Sequence, residues 1–317
     1  MVRSFASMMP GILFLFAELA CPCSAQRVNQ TRSRGSGDFA YVSLDSEQCI
    51  ALYRIDSDRG NLQFIKKITA GGAPGSLAVD PSHKYLYAAI RSTNCISSFR
   101  INMRSGDLTL MKTVPAAGNP VYLCTDRTGR FLLSAYFADC KAAIYALAQD
   151  GAVRDSAVQT LTTASNAHAI QTDPSNRFVF IPCRTGETIH QFRFDAVRGT
   201  LTPNTPDRVL TPTKTGPRHL AFHPSLKIDY FANEFGSTVS AFHLNPEGTL
   251  SELQTISSLP KDFVGANTGA DLHLTPDGRF LYASNRGHES IAAYSVDAAT
   301  GRLASVGFFP TEKTPRS

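Results

Sequence analysis

Four residues of this 317-residue chain have side chains suited to acid–base chemistry on an anionic small molecule: His168, Arg218, Glu234 and Arg286. Histidine exchanges a proton near neutral pH, and glutamate supplies a second acid or base whose pKa depends on its surroundings. Arginine binds a carboxylate or phosphate through forked hydrogen bonds, and it stabilises an oxyanion formed during acyl cleavage. The residue types therefore predict His168 and Glu234 as proton-transfer groups, and Arg218 and Arg286 as anion-binding groups.

An internal repeat places these residues. One turn motif recurs at spacings of 46, 47, 50 and 52 residues, and its copies begin at Asp80, Asp126, Asp173, His223 and Thr275. A glycine turn recurs with it, at Gly60, Gly106, Gly151, Gly199, Gly248 and Gly301. Between the turns lie short runs rich in aromatic and β-branched residues, which in the second unit are Ser76–Val79, Tyr85–Ile90, Ile96–Ile101 and Leu108–Val114. Four strands per unit at this period predict an all-β fold, a β-propeller of four-stranded blades.

Two competing folds fit the sequence less well. A pair of β-sandwiches would not explain the regular period, and the lack of tryptophan excludes the WD40 type of propeller.

Equivalent positions of successive blades should form rings around the central channel. Eleven residues after the turn motifs stand Arg91, Phe137, Arg184, Glu234 and Arg286, with Asp45 at the matching place in the first unit. Five residues before the motifs stand Gly75, Val121, His168, Arg218 and Ala270. Strand ends are often charged simply because they are solvated, and this alternative accounts for one ring of mixed charge. The proximity of the two rings favours a functional site instead, with Asp45, Arg91 and Arg184 as substrate-binding residues.

Composition excludes several classes of function. The chain is 43% hydrophobic and 18% charged, and its formal net charge is +5 without any run of Lys and Arg, so a nucleic-acid partner is not expected. His219 and His223 lie four residues apart on a predicted strand, where about 13 Å separates them, too far to share a metal ion. We therefore expect no metal or cofactor, and interpret His219 as a packing residue. The sequence has no motif for nucleotide, Rossmann, zincin or α/β-hydrolase chemistry.

The N-terminus is typical of a processing segment. Residues 1–25 contain a basic start, an apolar stretch and a small-x-small cleavage site, which predict a signal peptide and a secreted or periplasmic protein; a misassigned start codon, leaving a cytoplasmic protein, is the alternative. Residues 26–38 are predicted to be a flexible lead-in, and residues 39–317 the propeller domain. We expect no membrane span, because the apolar stretch is short. The five later cysteines, an odd number without a C-x-x-C pair, are expected to be free thiols.

Several segments resemble the seven-bladed β-propeller lactonase family, which includes 6-phosphogluconolactonase and carboxy-cis,cis-muconate lactonising enzyme. They are Asn166-Ala-His168, Gly216-Pro-Arg218-His219, Ala232-Asn-Glu234 and Leu281-Tyr-Ala-Ser-Asn-Arg286-Gly-His288. The resemblance spans about residues 38–317. It implies metal-independent lactone hydrolysis, with His168, Arg218, Glu234 and Arg286 as catalytic residues and His288 as a further substrate-binding residue. Two alternatives stay open: a muconate-type cycloisomerase, and a secreted propeller that binds a ligand or protein without catalysis.

The repeat also predicts an incomplete ring. It accounts for one blade without its inner strand and five full units from about residue 74 to 311, and Thr314-Pro-Arg316 resembles the start of another. We expect an open ring with exposed strand edges, a missing last blade, and a small-molecule lactone as partner. The oligomeric state is left open.

Overall fold

The computed structural model describes residues 38–56 and 58–316, so the predicted signal peptide and residues 26–37 of the lead-in lie outside the described residues. Within the described ranges the chain forms β-strands and no helix. That part of the chain accordingly holds no helix that could cross a membrane.

The strands form six antiparallel sheets, and within each sheet the neighbours in sequence are the neighbours in space. The first sheet consists of β1 (Asp38–Leu44), β2 (Cys49–Asp56) and β3 (Asn61–Thr69). The second consists of β4 (Pro74–Val79), β5 (Tyr85–Ile90), β6 (Cys95–Ile101) and β7 (Leu108–Pro115). The third consists of β8 (Pro120–Thr125), β9 (Phe131–Tyr136), β10 (Lys141–Leu147) and β11 (Val153–Thr162).

The other three sheets repeat the four-stranded pattern. The fourth consists of β12 (Gln171–Thr172), β13 (Phe178–Cys183), β14 (Thr188–Asp195) and β15 (Thr200–Leu210). The fifth consists of β16 (Pro217–Phe222), β17 (Ile228–Asn233), β18 (Thr238–Leu244) and β19 (Leu250–Ser257). The sixth consists of β20 (Thr268–Leu274), β21 (Phe280–Arg286), β22 (Ser290–Val296) and β23 (Leu303–Pro310). The four-stranded propeller blade predicted from the repeat is confirmed.

The first sheet lacks an inner strand among the described residues, as the repeat predicted. β1 packs against β4 just as β5 packs against β8 and β17 against β20, which identifies β1 as the second strand of its blade. Apolar cores fill the spaces between successive sheets: three of them draw on two neighbouring sheets, and the fourth extends from the third sheet to the fifth.

The turn motif works by backbone capping. The carboxylate of Asp173 accepts hydrogen bonds from the backbone N–H of Ser175, Arg177 and Phe178, so one side chain satisfies three donors of the turn. Asp126 does the same one blade earlier. In the fifth sheet His223 replaces the aspartate, and its Nδ1 accepts from the N–H of Leu226 at 2.9 Å. A short acceptor side chain is the shared chemistry that the repeat preserves.

The glycine turns lock neighbouring blades together. Gly106 has φ = 75°, and a Cβ there would lie 2.6 Å from the ring of Phe39 in the preceding sheet. The hydroxyl of Tyr41 donates to the carbonyl of Gly106 at 2.6 Å, and Tyr230 donates to Gly301 at 2.7 Å in the same way. Glycine is required because both the left-handed backbone and the approach of the adjacent blade exclude a side chain.

The sixth sheet exposes more of the face that other sheets cover. Tyr282 stands where Tyr87 and Tyr230 stand in their blades; those two are fully buried, whereas Tyr282 is half-buried. At this position the sixth sheet is therefore covered less than the second and fifth sheets are.

All five cysteines of the described residues are free thiols, which confirms the expectation. Cys49 and Cys183 are buried, and burial raises the pKa of the Cys183 thiol to about 12.

Candidate active site

Irregular inner strands bring the candidate residues to one end of the channel. β16 contains a bulge between Pro217 and His219, so Arg218 interrupts the regular alternation of side chains. Glu234 follows the last residue of β17, and its backbone is held on two sides: its N–H donates to Gly216 at 2.7 Å, and its carbonyl accepts from Gly269 at 2.9 Å. The fold thus fixes Glu234 between the inner strands of the fifth and sixth sheets.

Three guanidinium groups surround the carboxylate of Glu234. Arg184 Nη1 lies 2.6 Å from Oε1, Arg286 Nη2 lies 3.2 Å from Oε1, and Arg218 Nε lies 3.0 Å from Oε2. These arginines come from three different blades. One negative charge facing three positive ones leaves a surplus of positive charge, which suits an anionic ligand.

The three arginines differ in access. The side chain of Arg218 is 2% exposed, that of Arg286 14% and that of Arg184 24%. Burial lowers the pKa of Arg218 to about 10, although Asp271 and Glu234 favour its charged form, so it remains a cation at neutral pH. Arg218 is therefore placed to hold Glu234, and the other two guanidinium groups are the ones open to a ligand.

Aromatic rings clamp Arg184. Its guanidinium lies 4.6 Å from the ring centroid of Phe137 and 5.0 Å from that of Phe235. A planar cation between two rings keeps its orientation. Phe137 occupies the one uncharged position of the predicted ring, and this contact gives it a role that its charge did not indicate.

His168 lies beside this cluster in a buried environment. Burial, and the positive charge of Arg218, hold its pKa well below the usual value of 6.5, so the ring is neutral at pH 7. Its Nδ1 is buried and has no hydrogen-bond partner among the described residues. The ring contacts Phe137 and His219, with centroids 5.5 Å and 4.9 Å away. The ring therefore offers a lone pair at pH 7, while the neighbouring cations weaken it as a base.

His219 takes part in a polar network that the sequence analysis missed. Its Nδ1 lies 2.5 Å from Oδ1 of Asp271, whose Oδ2 lies 3.2 Å from Nε2 of His273. The packing role expected for His219 describes only part of its contacts. The signal was present in the repeat: four residues before the turn motifs stand Ser76, Tyr122, Ala169, His219 and Asp271. Comparing this position as well would have placed His219 and Asp271 side by side in adjacent blades.

Arg316 adds positive charge from the C-terminal segment. It lies close enough to contribute to lowering the pKa of both His168 and Arg218. In the repeat, Thr314-Pro-Arg316 corresponds to Gly216-Pro-Arg218, so Arg316 has the position of Arg218 two units later, directly after Ala270.

The other three predicted residues do not join the Glu234 cluster. Arg91 is exposed, and its Nε donates to Asn119 Oδ1 at 3.0 Å. Asp45 is exposed in the turn between β1 and β2. His288 Nδ1 lies 2.7 Å from Ser290 Oγ, and its ring contacts Phe263 and Phe308. In the described part of the chain, no group of three or more His, Cys, Asp and Glu residues is arranged to hold a metal ion.

Comparison with known proteins identifies the family. The profile of the family described as "Lactonase, 7-bladed beta-propeller" matches residues 25–121 and 110–317. The chain belongs to this lactonase family. Its six sheets are therefore blades of the seven-bladed type, with one blade fewer among the described residues.

Curated relatives support the family assignment, and solved structures share the fold. A 6-phosphogluconolactonase of Serratia proteamaculans is 35% identical over 279 residues, which is 88% of this chain and 83% of that protein. One of Yersinia pestis is 31% identical over 277 residues, 87% of this chain and 82% of that protein. The structure of a periplasmic gluconolactonase from Pseudomonas aeruginosa superposes with a TM-score of 0.80 at 24% identity, covering 89% of this chain and 85% of that one. A Bacteroides fragilis protein gives the same TM-score at 25% identity, covering 90% and 85%.

Proposed function

We propose that this lactonase hydrolyses an anionic sugar lactone of the 6-phosphogluconolactone type, at the cluster around Glu234. The observation that carries the proposal is the convergence of Arg184, Arg218 and Arg286 on one glutamate beside a neutral histidine. The relatives named 6-phosphogluconolactonase support the choice of a phosphorylated lactone.

The accessible arginines are assigned to the substrate. Arg184 and Arg286 keep part of their surface free, so they bind the anionic group and the oxyanion that forms when water attacks the lactone carbonyl. Arg218 is too enclosed for direct contact and instead fixes Glu234. Glu234 has a guanidinium group at each oxygen and orients the three arginines. We assign it this positioning role in place of the proton-transfer role expected from the sequence.

His168 is assigned to the attacking water. Because its ring is neutral at pH 7, it either accepts the water proton or orients the water through a hydrogen bond. Arg91, Asp45 and His288 remain predicted substrate-binding residues. They belong to the same propeller, but they do not contact Glu234.

A substrate panel tests the proposal. Purified protein is assayed with 6-phosphogluconolactone, free gluconolactone and muconolactone, and release of the acid is followed after subtraction of spontaneous hydrolysis. We expect fastest turnover of the phosphorylated lactone, and an increase in KM of about 10- to 100-fold in Arg184→Ala and Arg286→Ala, because each removes a hydrogen-bonded charge. Exposed Arg154→Ala is the matched control and should behave as wild type.

The same panel separates the alternatives. Interconversion of muconolactone with the open-chain muconate, without sugar-lactone hydrolysis, would replace the proposal by the cycloisomerase. No turnover of any lactone would favour the binding protein. Wild-type rates in His168→Ala would overturn the location of the site.

Secretion is a second part of the proposal. The composition of residues 1–25 supports export to the periplasm or the medium. Mass spectrometry of the protein purified from its native host should find Gln26 at the N-terminus, and an intact Met1 would show that the segment is not removed.

A further inference from the structure

We propose that His219 and Asp271 form a general-base pair of this active site: Asp271 fixes the tautomer of His219, and Nε2 of His219 takes the proton of the attacking water. This inference rests on the proposed lactone hydrolysis and deepens it. It gives the site a base other than Glu234, whose oxygens are occupied by arginines.

The geometry of Asp271 makes it a rigid acceptor. Its backbone N–H donates to Ser284 Oγ at 3.0 Å, and its Oδ1 accepts from the N–H of Leu272 at 2.9 Å. The same Oδ1 lies 2.5 Å from His219 Nδ1. Asp271 is buried, so the carboxylate has few alternative positions.

The charges on this pair decide the tautomer. Burial alone would raise the pKa of Asp271, but His219 and His273 hold it well below the ordinary value, so the group is a carboxylate and only accepts hydrogen bonds. Nδ1 of His219 must therefore carry the proton, which leaves the lone pair on Nε2. Arg218 Nη1 also lies 3.4 Å from Nδ1, but the carboxylate oxygen of Asp271 is much closer, at 2.5 Å, so Asp271 decides the tautomer.

The surroundings keep His219 neutral. Burial lowers its pKa, Arg218 and His273 lower it further, and Asp271 opposes them. The remaining titratable neighbours are His168 and Tyr122, whose rings lie 4.9 Å and 5.3 Å from that of His219. His219 is thus a free base at pH 7 with an orienting carboxylate behind it, an arrangement that general-base catalysis uses repeatedly.

His168 differs from His219 in this respect. Its Nδ1 has no hydrogen-bond partner among the described residues, so this nitrogen lacks the fixed acceptor that Asp271 gives Nδ1 of His219. We therefore assign His168 to orienting the water and His219 to accepting its proton.

The reaction balances without another reactant. Water oxygen bonds to the lactone carbonyl carbon while Nε2 of His219 takes one water proton, and the carbonyl oxygen becomes an oxyanion. The bond between this carbon and the ring oxygen then breaks, and the ring oxygen takes the proton from His219. Lactone and water give one hydroxy acid, and His219 returns to its neutral form.

Asp271→Asn tests the tautomer directly. Its amide donates to Nδ1 of His219 and moves the proton to Nε2, so we expect kcat to fall about 10²- to 10⁴-fold, with KM changed less than threefold. His219→Asn should show the same loss. The matched control His243→Asn changes an exposed histidine of β18 and should keep the wild-type kcat.

Two further measurements separate catalysis from folding. Inorganic phosphate should raise the melting temperature of Asp271→Asn as much as that of wild type, since the arginines are untouched. In wild-type protein, ¹⁵N NMR should show His219, assigned by the loss of its signals in His219→Asn, protonated at Nδ1 with a bare Nε2. The tautomer is read in wild-type protein, so this measurement does not depend on whether Asp271→Asn folds.

The possible failures are distinguishable. If wild type turns over lactone and Asp271→Asn keeps its kcat, or the NMR signals show a proton on Nε2, the base assignment is wrong and the proposed function stands. If wild type turns over no lactone, the proposed function fails.

Discussion

Replacing Glu234 by Gln removes the one negative charge that three arginines share. The side chain of Glu234 is 6% exposed, so it cannot be replaced by water without rearrangement. Breaking a buried ion pair by removing one partner costs about 3–5 kcal/mol. Arg218 is 2% exposed and bears most of this cost, whereas Arg184 and Arg286 are open enough to be partly rehydrated.

These contacts place the effect at the lower end of the range. Glutamine keeps one acceptor oxygen, so we expect Glu234→Gln to lose about 3 kcal/mol of unfolding free energy. For a folded chain of this size that corresponds to a melting temperature lower by roughly 5 °C. Glu252→Gln, at an exposed position of β19, is the matched control and should change stability by less than about 0.5 kcal/mol.

Differential scanning calorimetry in the presence and absence of phosphate completes the test. The arginines left without their carboxylate should bind an anion more tightly, so phosphate should raise the melting temperature of the variant more than that of wild type. A variant as stable as the control, with no additional response to phosphate, would refute the view that Glu234 holds the three arginines in place.

Three further predictions follow from the same structure. Asp229 is fully buried, neither of its carboxylate oxygens has a hydrogen-bond partner among the described residues, and burial raises its pKa well above the usual value. Its folded form therefore favours the protonated acid, and denaturant titrations should show Asp229→Asn gaining stability over wild type as the pH rises above about 4. Gly106→Ala should lower the unfolding free energy by about 1–3 kcal/mol in the same denaturant titration. Alanine is strained in the left-handed backbone conformation of this turn, and its Cβ would collide with the ring of Phe39. Dialysis against EDTA should leave lactone turnover unchanged, as the family resemblance implies; loss of activity restored by a divalent cation would contradict this.

The controls for these predictions are internal to the chain. Asp155→Asn alters an exposed carboxylate paired with Lys112. It should gain no stability over wild type as the pH rises above about 4. If the stability difference between Asp229→Asn and wild type does not change with pH, then Asp229 has hydrogen-bond partners when the protein is in solution. A Gly106→Ala protein as stable as wild type would show that Phe39 of the neighbouring blade shifts to accommodate the added Cβ at little cost in free energy.

Much of the fold was predictable because a propeller repeats local chemistry. The turn motif caps its own backbone, as Asp173 shows, and the glycine turn is fixed by its own φ angle, as at Gly106. Each of these features acts within a few residues, so it leaves a pattern that can be read along the chain. The strands of the second sheet consequently fell within two residues of their expected bounds.

Part of the site was also predictable, because equivalent positions in a repeat become neighbours in a ring. This logic selected His168, Arg218, Glu234 and Arg286, and the structure brings them together with Arg184. The ring positions of Arg91 and Asp45 followed the same rule, but their side chains do not reach the cluster. A ring fixes where the backbone lies and leaves the direction and length of each side chain undetermined.

The sequence alone determined the repeat, the four-stranded blades and the positions from which charged groups approach the channel. Only the tertiary structure decided which charges meet: Arg184 and Glu234 are 50 residues apart in sequence, and His219 and Asp271 are 52 apart. Such pairs depend on bulges that turn individual side chains and on the packing of one blade against the next. The physical reason is that capping and backbone conformation are local, whereas the partner of a buried charge is set by whatever the neighbouring blade places beside it.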